Sequence, residues 1–239
     1  MARYVCQSCV VFLLAACFTT AAAREGDPAV RPLARTATWW LTRVQQINRE
    51  VRNRQPELVL LGDSIIYGWK FAGRSVWRRH FGAVNTLNLG VDRDEIGHVL
   101  WRIQHGNLDG LKPRVVVLLV GTNNVGRRDH SAAQVAGGIE VVVGELRRRL
   151  PGSRVLLMGI LPSRRRLGPR RAKIRRINQL LAHLADGKSV WFLDLSPRLL
   201  TPRRELERRV SHDGLHLTSA GYAAWAEAMA SSLDRLLRR

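Results

Sequence analysis

Gly62, Asp63 and Ser64 follow an apolar run that begins at Pro56, and near the far end of the chain stand Asp213, Gly214, Leu215 and His216. Together these two segments hold a hydroxyl, an imidazole and a carboxylate, the three parts of an activated-serine site. In that reading Ser64 is the nucleophile, His216 takes its proton, and Asp213 fixes the tautomer of the imidazole. Acyl transfer from an ester also needs donors aimed at the oxyanion that forms. The candidates are the backbone N–H groups of Ser64 and Gly90 and the side-chain amide of Asn123. At position 90 the missing Cβ lets a substrate approach the backbone closely.

The order Ser, Asp, His, with only Gly214 and Leu215 between the last two, is neither that of chymotrypsin nor that of subtilisin. An α/β-hydrolase shares the order, but its nucleophile elbow reads Gly-x-Ser-x-Gly. Here Gly62 fills the first glycine position and Ile66 stands at the second, so that elbow is absent. Taken singly, Gly-Asp-Ser, Gly-Thr-Asn at 121–123 and Asp-Gly at 213–214 are ordinary turn compositions. A lone His216 would be an ordinary surface histidine. What carries the reading is their order and their position relative to the elements that hold them.

Those elements are legible as periodicity. Thr38 to Asn53 places Trp40, Leu41, Val44, Ile47 and Val51 at helical spacing. Five short apolar runs follow, Leu58 to Leu61, Thr86 to Leu89, Val115 to Val120, Val155 to Ile160 and Val190 to Leu193, each suited to a strand covered on both faces. Helix-length segments lie between and after them: Glu95 to Gln104, Ala132 to Leu150, Arg170 to Leu184 and Ser219 to Leu237. This alternation predicts an α/β fold with a parallel sheet and helices on both faces. In such folds function sits at the carboxyl ends of strands. Ser64, Gly90 and Asn123 all fall just after a run. Asp194, after the fifth run, is expected to shape a loop or cap a helix. Trp69, Trp77, Tyr222 and Trp225 are expected to pack helices onto the sheet.

The chain has 239 residues, enough for one large core, and no Pro/Gly/Ser-rich linker or internal repeat divides it. Residues 1–23 read as a leader: Arg3, then an uncharged stretch to Ala23 that is most apolar from Val10 to Ala16. Two processing routes fit. Leu14-Ala15-Ala16-Cys17 resembles the bacterial lipoprotein signal, in which Cys17 is lipidated and anchors the protein to a membrane. Cleavage after Ala23 is the other. All three cysteines, Cys6, Cys9 and Cys17, fall in this segment, so the remainder has no disulfide. Residues 24–56 form an N-terminal helical segment. The expected location is outside the cytoplasm: periplasmic, in the cell envelope, or secreted.

The charge is strongly positive, 39 Lys and Arg against 19 Asp and Glu, and only four of the basic residues are lysines. An anionic polymer or lipid surface is one reading and a solvated arginine-rich surface the other. Nucleic acid is not an expected partner, given 6% aromatic residues, no recognition motif and an export leader. Arginine clusters occur at 147–149, 164–166, 170–176 and 203–209.

Four blocks together resemble the SGNH (GDSL-type) hydrolase family: Gly62-Asp63-Ser64, Asn88-Leu89-Gly90, Gly121-Thr122-Asn123 and Asp213-Gly214-Leu215-His216. The resemblance implies Ser64 as nucleophile, Gly90 and Asn123 as oxyanion donors, Asp213 and His216 as the rest of the triad, and no cofactor or metal. It also implies a flavodoxin-like three-layer sandwich with a five-stranded parallel sheet over residues 57–239. A narrower similarity is to the branch that holds the catalytic subunits of intracellular platelet-activating factor acetylhydrolase and their bacterial relatives. It is carried by His98 to Arg102, Gly106-Asn107-Leu108, Val120 to Asn124, Val135 to Glu140 and Gly159 to Pro162. One block departs: Val91, Asp92, Arg93 and Asp94 stand where the family commonly has further glycines.

The function expected is that of a serine esterase acting on short acyl groups, acetyl foremost, of a small ester substrate such as an acetylated glycan or lipid. A lipase or thioesterase for longer chains uses the same residues with a different pocket. A non-catalytic, basic, glycan-binding envelope protein is the alternative outside enzymology. Animal relatives pair as homodimers, an analogy only.

Overall fold

The computed structural model describes residues 29–127 and 130–238. The leader reading, including Cys17 and the cleavage after Ala23, lies outside the described residues. The five apolar runs become five parallel strands, β1 (Leu58–Gly62), β2 (Thr86–Gly90), β3 (Val115–Leu119), β4 (Arg154–Met158) and β5 (Val190–Leu193), in the order β2-β1-β3-β4-β5. Every residue of β1 and β3 is buried, as continuous apolar strands inside a doubly covered sheet must be.

Alternation along the strands divides the core into two layers. Val59, Leu61, Leu87, Leu89, Val116 and Leu118 face α1 (Thr38–Asn53), α4 (Ile96–Gln104), α6 (Ala132–Arg149) and α7 (Pro169–Ala182). Leu58, Leu60, Val115, Val117, Leu119 and Met158 face α2 (Ser64–Tyr67), α3 (Arg74–Phe81), α8 (Ser196–Leu199) and α9 (Ser219–Arg238). The result is the expected three-layer α/β sandwich with flavodoxin-like strand order. Its order reverses at β1 and β3, so the crevice for a ligand lies beyond their carboxyl ends. A further short helix, α5 (Thr122–Arg127), starts there, after β3.

Helix α1 is part of this same core, with Trp40, Val44, Ile47 and Val51 buried at spacings of three and four. It also protects the edge strand. Arg43 donates through Nη2 to Asn88 O at 2.9 Å and through Nε to Gly90 O at 3.3 Å, and Arg54 Nη2 reaches Thr86 O at 3.1 Å. The carbonyls that β2 turns away from β1 are thereby occupied, which removes a template for edge-to-edge pairing.

Strand ends differ from the sequence reading by a residue or two: the runs expected to reach Val120 and Ile160 stop at Leu119 and Met158. The short helices α2, α3, α5 and α8 were not legible. Of α3 only Val76 and Phe81 are buried, too few to show a period. Trp69 packs against Trp77, Tyr222 and Trp225 at centroid distances of 5.0, 4.5 and 5.2 Å, so the aromatic residues join helices to the sheet as expected. Among the described residues no helix is long and apolar enough to cross a membrane.

Candidate active site

Ser64 is the first residue of α2, which starts directly beyond β1. Asp63 caps that helix, its Oδ1 accepting the Ile65 N–H at 2.9 Å. The first N–H groups of a helix have no intrahelical acceptor, which leaves the Ser64 N–H available to a ligand. From α9, the Tyr222 hydroxyl donates to Ile65 O at 2.7 Å and fixes α2 from below.

The loop before α9 brings the other two groups to the serine. Ser64 Oγ lies 3.2 Å from His216 Nε2, and His216 Nδ1 lies 2.7 Å from Asp213 Oδ2. Asp213 Oδ1 also accepts the backbone N–H groups of Leu215 and His216, each at 2.8 Å, so one carboxylate both folds the turn and orients the ring. Gly214 sits inside this turn at φ 74°, a conformation costly to a residue with a Cβ. Burial pulls the Asp213 pKa up, but the bonds from the His216 ring and the two N–H groups outweigh it and hold the carboxyl at about 2. A cleft of about 440 Å³ beside the imidazole is lined by Ala72, His212, Leu217 and Ser219.

Asn123, at the start of α5 beyond β3, donates one N–H of its amide to Asp94 O at 2.8 Å. The amide's second N–H has no acceptor among the described residues. Asp94 is itself buried, accepting Trp40 Nε1 and Arg102 Nε at 2.7 Å each. Burial raises its pKa against the pull of Arg102 and Trp40. Arg102, 0% exposed, also donates to Asn107 Oδ1 and, at 3.2 Å, to Gly62 O, two residues before Ser64. The pair Asp94–Arg102 thus braces both the strand end that carries Ser64 and the amide of Asn123. Sequence reasoning missed both as site residues. The signal was present: Arg102 interrupts the apolar face formed by Ile96, Val99 and Ile103.

Gly90 ends β2. Its N–H donates to Asn88 Oδ1 at 2.9 Å, and the Asn88 amide in turn donates to Ile66 O at 2.8 Å. The reason for glycine here is close approach of the protein to itself, since a Cβ would stand 2.3 Å from Tyr67 N and 2.7 Å from Tyr67 Cα. In the departing block that follows, Arg93 adopts φ 58°, the region a glycine would favour, and its carbonyl accepts Arg35 Nη2 at 2.5 Å. Asp194 Oδ1 accepts Ser196 N at 2.9 Å, which makes it the loop-shaping aspartate expected.

Asp63 is buried, and loss of solvent is the main force pushing its carboxyl up to about 7. Its Oδ2 has no hydrogen-bond partner in good geometry; the Thr122 hydroxyl is near enough to oppose the shift but is itself unpaired. Among the described residues no group of three or more His, Cys, Asp or Glu is placed to hold a metal ion.

A flavodoxin-like sheet with Ser64, His216 and Asp213 in one hydrogen-bonded chain beyond its reversal point has the arrangement that ester hydrolysis by an activated hydroxyl requires. Comparison with known proteins narrows the class. The sequence profile of the GDSL-like lipase/acylhydrolase family matches residues 60–224, and the chain belongs to that family. It is 36% identical over 199 residues to platelet-activating factor acetylhydrolase IB subunit alpha1 of Bos taurus, covering 83% of this chain and 84% of that protein. The alpha2 subunit of Rattus norvegicus is 31% identical over 199 residues, covering 83% and 85%. A solved structure described as a putative platelet activating factor from Streptococcus pneumonia superposes with a TM-score of 0.66 at 25% identity, covering 83% of this chain and 94% of that one. An acetyl-xylooligosaccharide esterase from Geobacillus Stearmophilus shares the fold, with a TM-score of 0.58 at 16% identity over 76% of this chain and 94% of that one. The protein is a carboxylic ester hydrolase.

Proposed function

We propose that this chain hydrolyses short-chain acyl esters, acetyl foremost, of a carbohydrate or lipid, through an acyl-enzyme formed on Ser64. The observation that carries the reading is the continuous chain from Ser64 Oγ through His216 to Asp213, at 3.2 and 2.7 Å. Ser64 Oγ attacks the ester carbonyl carbon while His216 Nε2 takes its proton. Negative charge on the carbonyl oxygen is met by the Ser64 N–H and the second N–H of Asn123, each such donor typically contributing about 3 kcal/mol. Collapse of the adduct breaks the bond to the alcohol oxygen, which takes the proton from His216 and leaves. Water then repeats the cycle on the acyl-Ser64, releasing the carboxylic acid and restoring the hydroxyl. Asp213, ionised across the working range, keeps Nδ1–H bonded and steadies the imidazolium in both halves. Gly90 serves as a third donor only where Asn88 releases its N–H.

The preference for a small acyl group is supported by the acetylhydrolase relatives. The leader of residues 1–23 supports action outside the cytoplasm, on envelope or extracellular esters. Turnover of a series of chromogenic esters from acetate to decanoate tests the reading. A steep fall beyond two to four carbons is expected, and activity that rises toward decanoate replaces it with a longer-chain lipase or thioesterase. Ser64→Ala serves as control and lowers turnover by at least about a thousandfold.

A further inference from the structure

Three of the four arginine clusters that look scattered in the sequence meet in space. Those at 170–176 and 203–209 line a cavity of about 780 Å³ beyond the carboxyl ends of β4 and β5, larger than the cleft beside His216, and the 164–166 cluster joins them through the carbonyl of Arg164. The volume is within the range of pockets that enclose a small organic ligand. Leu167, Ile174 and Leu200 supply apolar wall, and Arg171, Arg175 and Arg204 supply positive charge. Asp194 is the one carboxylate in the lining. Leu167 is 61% exposed, an apolar side chain held at the rim.

Arg171 is the group that calls for explanation. It is 7% exposed, its pKa is lowered by burial, and no acid among the described residues opposes that shift. A buried cation without a counter-ion is costly unless an anion joins it. Its guanidinium is held by two backbone carbonyls, Arg164 O at 3.2 Å and Arg204 O at 3.1 Å. Both residues have positive φ, 68° and 59°, so Arg171 secures two turns that ordinary residues resist. One of these turns reaches the catalytic loop: Arg164 N donates to Gly214 O at 2.7 Å, and Arg165 Nη2 donates to His212 O at 2.8 Å.

We propose that this cavity is a second ligand site, which takes an anionic amphiphile with its carboxylate or phosphate head on Arg171 and its apolar chain along Leu167, Ile174 and Leu200. An Arg fork suits either head group. Occupancy is transmitted to the Asp213–His216 turn, because the guanidinium that receives the head also holds the Arg164 turn on which Gly214 rests. The site stands whether or not the acetyl preference holds.

Calorimetric binding to the Ser64→Ala protein tests the site, with sodium decanoate and decyl phosphate as probes and decanol and inorganic phosphate as the chain-only and head-only controls. One decanoate or decyl phosphate per chain is expected, the tighter of the two identifying the head group, with both controls at least tenfold weaker. Arg175→Glu, which places a carboxylate in the lining, weakens binding at least tenfold. Arg171→Gln abolishes it, circular dichroism verifying the fold. In the protein with Ser64 intact, saturating decanoate changes kcat/KM for an acetate ester at least twofold, and Arg175→Glu removes that response. Failure of both amphiphiles to bind overturns the proposal. So does decanol or phosphate binding as tightly as the amphiphile, or binding undiminished by Arg175→Glu, which would place the probe in the catalytic cleft. Binding without any change in kcat/KM overturns the coupling.

Discussion

The backbone carbonyl of Asp94 holds the side-chain amide of Asn123 at 2.8 Å, while the Asp94 carboxylate is held by the buried Arg102. One residue therefore connects a candidate oxyanion donor to an ion pair in the core. Restraint of this kind matters because a donor aids catalysis only if it is already aimed where charge develops. Asn123→Ala is expected to lower kcat by about 10²–10³ with little change in KM, as read from steady-state kinetics on a chromogenic acetate.

Arg102→Met leaves the Asp94 carboxylate buried without its partner. Breaking a buried pair from one side typically destabilises by about 3–5 kcal/mol, so the urea midpoint should fall sharply. In the fraction that remains folded, kcat should fall more than KM rises, because both Gly62 and Asn123 lose their brace. Retention of wild-type stability and kcat would remove Arg102 from any positioning role.

Asp63 and Asp213 give opposite pH signatures. The raised Asp63, near 7, holds its proton in the folded state over a range where the unfolded chain has lost it. Its contribution to stability is therefore present at low pH and lost as pH rises from about 4 through 7. Asp63→Asn keeps a side-chain cap acceptor and should flatten that slope in denaturation midpoints measured from pH 5 to 8.

Asp213, held at about 2, contributes stability that is present above the usual carboxylate range and lost as pH falls from about 4 through 2. The group is half-exposed, so solvent screening keeps the effect small. The catalytic consequence is large: Asp213→Asn should lower kcat by about 10⁴ at neutral pH through loss of the correct tautomer.

Gly90→Ala puts a methyl group against the backbone of Tyr67. Helix α2 must shift to admit it, carrying Ser64 away from His216. A loss of about 1–3 kcal/mol in stability and a fall in kcat larger than any rise in KM are expected.

Much of this was legible in the sequence, and the reasons differ by element. The strands read clearly because burial on both faces forces runs such as Val115 to Leu119 to be wholly apolar. Helices α1 and α6 read clearly because four or more core contacts repeat at helical spacing. Helices α2 and α5 did not, being single or double turns whose start is set by the strand end before them. Ser64, Asp213 and His216 were found from residue type and order, and the structure brings them within hydrogen-bonding distance. The function of Asp94 was hidden because its partner Arg102 is eight positions away and acts through a side chain, which no local pattern records. Gly90 was placed correctly at the strand end, but the close approach of helix α2, which also demands glycine there, was not legible. The meeting of arginines around Arg171 depends on the packing of two separate loops against helix α7 and leaves no trace in sequence spacing.

The central claim is that Ser64 is the nucleophile. Labelling the protein with a fluorophosphonate ester and mapping the adduct by peptide mass spectrometry tests it most directly. The account expects one phosphonyl group per chain, on the peptide holding Ser64, appearing in step with loss of acetate-ester hydrolysis. A fully labelled Ser64 with activity intact, or activity lost with the label on another residue, would contradict it.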